Sequence, residues 1–380
     1  MQRCHLIFVA IVSWALLLWI GCGKDESSPL IPPTIIPTVA VAGGSTSHLL
    51  AASRPVSGSI RTRAIVSWVF VVRNHDSTTH QACLSQHVPV PDYFVVDPSL
   101  SARLQETVSI LGLDRDFDVG EDGIEQISLA VVDLTTNIPR FGGVHFDNFI
   151  YPASVYKMYV AAEVLEQVSR GKYSLWSPYL VKSPNDVDKS RALTHDPRPL
   201  LQDGDSVTVN YLLDLMITRS DNTAANCLID LATRESINAL MQRYSWHGSE
   251  VTRKFLRRQF EDPGYETIRG TETCALHAAD FMYRIHTNQL VNPWVSQQMK
   301  SYLARQVDTT KIAAGLPAHA MFYHKTGWFS CWTNDVGIVD DGAVRYVIAC
   351  FLPMTEDSAQ SKLEELSRRV HDIFRSQLGE

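Results

Sequence analysis

Three short strings, Ser154-Val155-Tyr156-Lys157, Ser220-Asp221-Asn222 and Lys325-Thr326-Gly327, follow one another in that order along the chain. They constrain the fold most, because their side chains do joint work only if three distant segments meet in one place. A chain of this length should contain about one S-x-x-K by accident, and a second copy stands at Ser169-Arg170-Gly171-Lys172. The two tripeptides are rarer, each expected by chance in roughly one chain in ten of this size. Finding all three, ordered and well separated, argues against accident.

Physical chemistry separates the two S-x-x-K copies. Ser154 follows Tyr151-Pro152-Ala153 and opens a helix-compatible run from Val155 to Val168. Proline costs little near a helix start, where the first N–H groups have no intrahelical partner. Ser154 is therefore expected at a helix N-terminus, where the dipole and free N–H groups favour developing negative charge. Lys157, three residues on, shares its face. Ser169 sits at the other end of the run, with Gly171 as a stop. This helix alone would equally suit Ser154 as a plain N-cap; the other strings tip the balance toward chemistry.

Together the strings make the set of an active-site serine that accepts an acyl group. The Ser154 hydroxyl needs a base, and Lys157 can serve if desolvation and a nearby positive charge lower its proton affinity. Lys325 is the candidate for that charge. Ser220, just past a helix expected over Val207–Thr218, can relay a proton to a leaving nitrogen. Asn222 offers an amide to substrate and can touch Lys157, whereas Asp221 reads as a turn and N-cap residue. Lys325-Thr326-Gly327 should ride on an edge strand, with Gly327 letting a ligand approach the backbone. Lys325 and Thr326 would hold a carboxylate. The Ser154 and Trp328 N–H groups would form an oxyanion hole. Read singly, each tripeptide is an ordinary turn.

Composition narrows the alternatives. Apolar residues make up 45% and charged residues 20%, as in a globular chain, and the formal net charge of −7 argues against nucleic acid or an anionic membrane surface as partner. The cluster Arg253, Lys254, Arg257, Arg258 reads as a solvated face. The 13 histidines form no H-x-H or H-E-x-x-H, so no metal and no cofactor is expected. A G-x-S-x-G elbow is also missing. None of the seven cysteines makes C-x-x-C, and Cys227 and Cys350 fall in apolar patterns that suit small core residues.

Residues 1–21 read as an export signal, with Arg3 ahead of the apolar run Leu6–Ile20. Leu18-Trp19-Ile20-Gly21-Cys22 resembles a bacterial lipobox, which would make Cys22 the lipidated first residue of the mature protein. Ordinary cleavage and an uncleaved anchor are the alternatives, and each of the three places the rest of the chain in the periplasm or cell envelope. Residues 22–97 combine a Pro/Ser/Gly-rich tether with a segment of no assigned function, including a strand-like Ala64–Val72. A domain is expected over 98–380. It opens with a helix over Ser99–Leu111 and strand-like runs at Ile127–Asp133 and Phe141–Phe146. Helical signals dominate residues 172–310: Val207–Thr218, Thr223–Thr233, Ser236–Tyr244, Ala275–Thr287 and Pro293–Ala304. Strands return at Ala320–Thr326, Asp335–Val339 and Arg345–Leu352, before an amphipathic helix over Ser358–Leu378. The expected fold is α+β: an antiparallel sheet flanked by N- and C-terminal helices, plus an all-helical lobe, with the motifs at the junction.

Ser220-Asp221-Asn222-Thr223-Ala224-Ala225-Asn226, followed by Leu228 and Leu231, resembles class A serine β-lactamases. Lys325-Thr326-Gly327 followed by Thr333-Asn334-Asp335-Val336-Gly337 does so too. The resemblance spans roughly Pro98 to Leu378. It implies the same sheet-plus-helices fold and the opening of β-lactams through a serine acyl-enzyme, the chemistry of antibiotic resistance and β-lactam catabolism. It also puts Lys311 where many relatives carry a carboxylate-binding arginine, with a surface lysine as the alternative. One departure matters. Class A enzymes carry a glutamate within an E-x-x-L-N string that activates the deacylating water, and no such string occurs between Asn222 and Lys325. Glu250, Glu261 and Glu266 are candidates for that base by proximity only. Without one, the acyl-enzyme would be long-lived, as in penicillin-binding proteins. Two rivals share the motifs: a D,D-peptidase acting on cell-wall peptides, and a non-catalytic β-lactam or peptidoglycan-binding domain. The expected partner is a β-lactam or D-Ala-D-Ala-like small molecule, with no nucleic acid, a membrane reached only through the N-terminal anchor, and a monomeric chain.

Overall fold

The computed structural model describes residues 88–117, 119, 125–192, 196–256 and 270–378. After a short strand β1 (Val95–Val96), Asp97 caps helix α1 (Pro98–Ile110) by accepting the Ser99 and Leu100 N–H groups at 2.9 and 3.0 Å. Pro98 stands where no N–H is needed, and Gly112, at φ +66°, ends the helix in the left-handed region. Strands β2 (Ser128–Asp133) and β3 (Arg140–Val144) follow, and a 3-10 turn (Ala153–Tyr156) runs into helix α2 (Lys157–Ser169). A two-stranded ribbon, β4 (Pro178–Leu180) and β5 (Ser206–Thr208), precedes helices α3 (Val209–Thr218), α4 (Asn222–Ala232), α5 (Arg234–Arg243), α6 (Ala275–His286) and α7 (Pro293–Leu303). A second 3-10 turn (Ile312–Gly315) leads to strands β6 (Met321–Phe329), β7 (Trp332–Asp340) and β8 (Arg345–Leu352), and helix α8 (Glu356–Gln377) closes the chain.

The six-stranded sheet has the order β1-β3-β2-β8-β7-β6 and is antiparallel except for the β1–β3 pair. Period-two alternation sorts its side chains between two cores. Leu129, Val131, Ile348 and Cys350 pack with Leu104 of α1 and Leu366 and Phe374 of α8. Ala130, Val132, Val347 and Ala349 face the other way, toward α2 and the helical lobe. Helix α2 is buried from Lys157 through Gln167 on every face, so it is the central post of that lobe rather than an amphipathic surface helix. The motif strand β6 lies at the sheet edge, beside the 3-10 turn that carries Ser154.

The expected architecture is present, with differences at its joints. Helix α3 starts at Val209, because Thr208 caps it by accepting the Tyr211 N–H at 3.1 Å while Val207 belongs to β5. The ribbon β4–β5 went unread, because three-residue strands show no usable periodicity. Lys254 is no solvated face: it pairs with Asp230 and is 12% exposed. Cys227 and Cys350 are buried core residues as expected. Residues 1–87, on which the expected export signal, Cys22, the expected tether and the strand-like Ala64–Val72 fall, lie outside the described residues, as do Arg257 and Arg258.

Candidate active site

Ser154 does not cap a helix. Pro152 is followed by Ala153 at φ +47°, and the backbone tightens into the 3-10 turn, so that α2 proper begins at Lys157. A non-glycine residue in the left-handed region costs about 1–3 kcal/mol and persists only where its surroundings hold it. Two contacts hold it here. Asn334 of β7 donates its amide N–H to the Tyr151 carbonyl at 3.2 Å and accepts the Leu352 N–H at 3.2 Å. Gly327 of β6 lies flat against the turn. A Cβ at Gly327 would stand 2.6 Å from the Pro152 oxygen and 2.8 Å from the Ser154 and Val155 nitrogens. Only glycine lets the edge strand come this close.

Lys157 is fully buried, and its Nζ has four oxygen neighbours: Ser154 Oγ at 3.0 Å, Ser220 O at 2.8 Å, Ser220 Oγ at 3.1 Å and Asn222 Oδ1 at 2.7 Å. The Ser220 carbonyl and the Asn222 amide oxygen can only accept. A neutral amine has two N–H groups for them and one lone pair left for a hydroxyl proton, whereas an ammonium has three N–H groups and no acceptor. Burial, then the charge of Lys325, push the Lys157 proton affinity well below that of an ordinary lysine, with Arg191 adding to the effect and Asp188 and Asp221 opposing it. The arrangement thus suits a lysine that takes the Ser154 proton.

Ser220 sits between α3 and α4 at φ +59°, a second strained residue in the same cluster. Its hydroxyl lies 3.1 Å from Lys157 Nζ and 3.0 Å from Lys325 Nζ, bridging the two amines. Lys325 is fully buried, donates also to the Thr326 carbonyl at 2.7 Å, and burial lowers its pKa to about 7. Asp221 is the expected N-cap, accepting the Ala224 N–H at 2.8 Å while paired with Arg219 at 2.9 Å. Thr326 is buried beside Lys325 on β6, and the side chain of Trp328 is 52% exposed at the strand end. The three motifs therefore meet as expected: Ser154, Lys157, Ser220, Asn222 and Lys325 form one hydrogen-bonded network, and Gly327 abuts the Ser154 turn.

The remaining candidates fare differently. Glu250 is half-buried and its backbone forms an antiparallel bridge with Glu272; Glu261 and Glu266 lie outside the described residues. Lys311 is not a surface lysine. It is fully buried, and its Nζ is taken by Asp308 at 2.6 Å and Glu356 at 2.7 Å, which raise its pKa against the effect of burial. A substrate carboxylate at Lys311 would have to displace one of these acids. The Ser169 hydroxyl turns back to the Glu166 carbonyl at 2.8 Å and Lys172 reaches Gln167 Oε1 at 2.9 Å, so the second S-x-x-K is a helix end.

Phe255 is a site neighbour that sequence reasoning missed. Asn226 of α4 clamps its backbone, accepting the Phe255 N–H at 2.8 Å and donating to its carbonyl at 3.3 Å. The ring centroid lies 4.2 Å from Lys157 Nζ and stacks on Tyr156 at 4.5 Å. Its only advance signal was the position of Asn226 in the string after Ser220-Asp221-Asn222. Asp188 and Arg191 were missed too: they come from the β4–β5 loop, which carries no motif, and reach Asn222 and Ser220.

A serine held in a tight turn behind a strained residue, beside a desolvated lysine and at the seam between an edge strand and a helical lobe, is the arrangement of a serine hydrolase of the β-lactamase type. Residues 115–374 match the family described as "Beta-lactamase enzyme family", and the chain belongs to that family. Among solved structures it is similar to PBP-A, at 20% identity, covering 76% of this chain and 100% of that one with a TM-score of 0.60. A β-lactamase from Sphaerobacter thermophilus is similar at 19% identity over 72% of this chain and 97% of its own, with a TM-score of 0.60. The class A β-lactamase of the last common ancestor of Gram-negative bacteria is similar at 25% identity over 73% and 99%, with a TM-score of 0.57. No curated protein sequence matches the chain.

Proposed function

We propose that this protein is an exported serine hydrolase that opens β-lactams through an acyl-enzyme on Ser154 and releases the product slowly. The observation that carries acylation is the 3.0 Å contact between Ser154 Oγ and the buried Lys157 Nζ, whose other acceptors leave it a lone pair for the hydroxyl proton. As Ser154 Oγ attacks the lactam carbonyl carbon, its proton passes to Lys157. The Ser154 and Trp328 N–H groups receive the oxyanion. When the C–N bond breaks, the lactam nitrogen takes the Ser220 hydroxyl proton, which Lys157 replaces across 3.1 Å. Lys325 and Thr326 hold the substrate carboxylate, and Asn222 meets its amide.

Phe255 supports slow release. Deacylation requires a base to draw a proton from a water beside the ester, and among the described residues the group packed 4.2 Å from Lys157 Nζ is an apolar ring. This observation also favours the second reading, a penicillin-binding-like D,D-peptidase acting on cell-wall peptides, whose natural acyl-enzyme would be attacked by an amine or water without help from a carboxylate at that place. A solved structure of a PBP-A variant is described as an acyl-enzyme complex with penicillin G. Export through residues 1–21 with lipid attachment at Cys22 would put the site in the cell envelope, where both substrate classes occur.

Intact-protein mass spectrometry after mixing with penicillin G tests this. One adduct of penicillin mass should form quickly, vanish in Ser154→Ala and persist for many minutes. An adduct that survives Ser154→Ala, or maps to Ser169, overturns the nucleophile. Rapid turnover with no accumulating adduct overturns slow release.

A further inference from the structure

The loop between β4 and β5 contributes two oppositely charged side chains to the back of the site. Asp188, with its carboxylate 5% exposed, accepts the Asn222 backbone N–H at 2.7 Å and the Asn222 side-chain N–H at 3.1 Å. Its own backbone N–H donates to Thr223 Oγ1 at 3.0 Å, pinning the loop to the first turn of α4. Arg191, three residues on, places Nη1 3.5 Å from the Asp188 carboxylate and 3.3 Å from the Ser220 carbonyl.

These contacts are coupled to Lys157 through shared atoms. The Asn222 amide has one end on Asp188 and the other on Lys157 Nζ. Only its NH2 can face a carboxylate, so Asp188 dictates that the amide oxygen faces the amine. The Ser220 carbonyl likewise accepts from Lys157 on one side and from Arg191 on the other. A negative and a positive charge therefore bracket the lysine, each one group removed.

We propose that Asp188 and Arg191 are positioning residues for acylation: Asp188 holds the Asn222 oxygen on Lys157, and the pair sets one negative and one positive charge beside the lysine, each one group removed. This rests on the reading of Lys157 as the base for Ser154. The charged groups acting on Lys157 are Lys325 of β6, Asp221 at the start of α4, and Asp188 and Arg191 of the loop. The hydroxyls of Ser154 and Ser220, the Asn222 amide and the Phe255 ring complete its surroundings.

The signs differ between the two residues, which makes the idea testable. Asp188→Asn removes a charge that favours the ammonium, so Lys157 loses its proton at lower pH. Arg191→Gln removes a charge that opposes the ammonium, so Lys157 loses its proton at higher pH. Each shift should be about one pH unit, as for a charge a few ångströms away.

The experiment uses the full chain labelled with 13C at the lysine ε-carbons, with the Lys157 signal assigned by its loss in Lys157→Arg. Its chemical shift is titrated in the parent, Asp188→Asn and Arg191→Gln, and the acylation rate with penicillin G is followed against pH in the same three proteins. Titration midpoints and acid limbs that move down in Asp188→Asn and up in Arg191→Gln support the proposal. Midpoints that stay put or move the same way overturn it, and so do shifted midpoints with unshifted acid limbs. The partly exposed Arg191 keeps the test open if Asp188→Asn folds poorly. A parent that forms no adduct sinks the acyl-enzyme reading and the acylation role with it. Adduct formation with unshifted limbs sinks this inference alone.

Discussion

At the scale of single residues, two buried lysines share Ser220, and under the proposed mechanism both make acylation depend on pH. Lys157 is useful when neutral and Lys325 when charged. Because the Lys157 proton affinity is lowered, its base form is populated at pH values where an ordinary lysine is still an ammonium. The second-order acylation rate should therefore rise with pH through the Lys157 ionisation. It should then fall above about 7, where Lys325 loses the charge that meets the substrate carboxylate. Lys325→Arg keeps that charge at any working pH, and its pH–rate profile is expected to lack the basic limb. Phe255 permits a second single-residue test. Phe255→Glu puts a carboxylate next to Lys157, and a general base is worth about 10²–10⁴ in rate. Adduct lifetime by mass spectrometry should shorten at least tenfold, while Glu250→Gln, Glu261→Gln and Glu266→Gln leave the parent lifetime unchanged.

At the scale of elements, the site depends on how β6, the Ser154 turn and α8 are held together. In Gly327→Ala the added methyl would overlap backbone atoms that cannot rotate away, at 2.6–2.8 Å. The strand must then withdraw, carrying the Trp328 N–H away from the Ser154 N–H. Loss of one oxyanion donor costs about 10²–10³ in rate. A fall of about 10² in acylation rate with an unchanged circular dichroism spectrum is the expected result. Lys311 ties the second 3-10 turn to the first residue of α8 through Glu356, and to Asp308. Lys311→Met leaves the two acids without their cation. Both are about a quarter exposed (25% and 24%) and partly solvated, so the loss should lie near 1–3 kcal/mol, below that of a fully buried pair. Urea unfolding measures it.

At the scale of the whole molecule, one sheet serves two cores, and the site lies where the second core meets the sheet edge. The α1–α8 layer packs on one face; the helical lobe packs on the other and supplies α2, α4 and loops that surround Lys157. The proposed route to the envelope belongs to this scale. Cys22→Ser should move the protein from the membrane fraction to the soluble periplasmic fraction and remove a lipid mass from the mature N-terminus. An unchanged distribution would end the case for lipidation.

Much of this was written locally. Apolar runs such as Arg345–Leu352, the cap at Asp221, and the order of the three motifs are properties of neighbouring residues, and each predicted its element or its place in the site. That Ser154, Lys157, Ser220 and Lys325 would meet was legible for the same reason. Other features had no local signature. The burial of Lys311 needed Glu356, which is distant in sequence and brought near only when α8 folds back on the sheet. The tight turn at Ser154 was set by Gly327 pressing from another strand, and the ring over Lys157 was set by Asn226 holding a loop backbone. Asp188 and Arg191 came from a loop with no periodicity and no motif. Proton affinities and close approaches depend on distances in space, and only tertiary packing determines those.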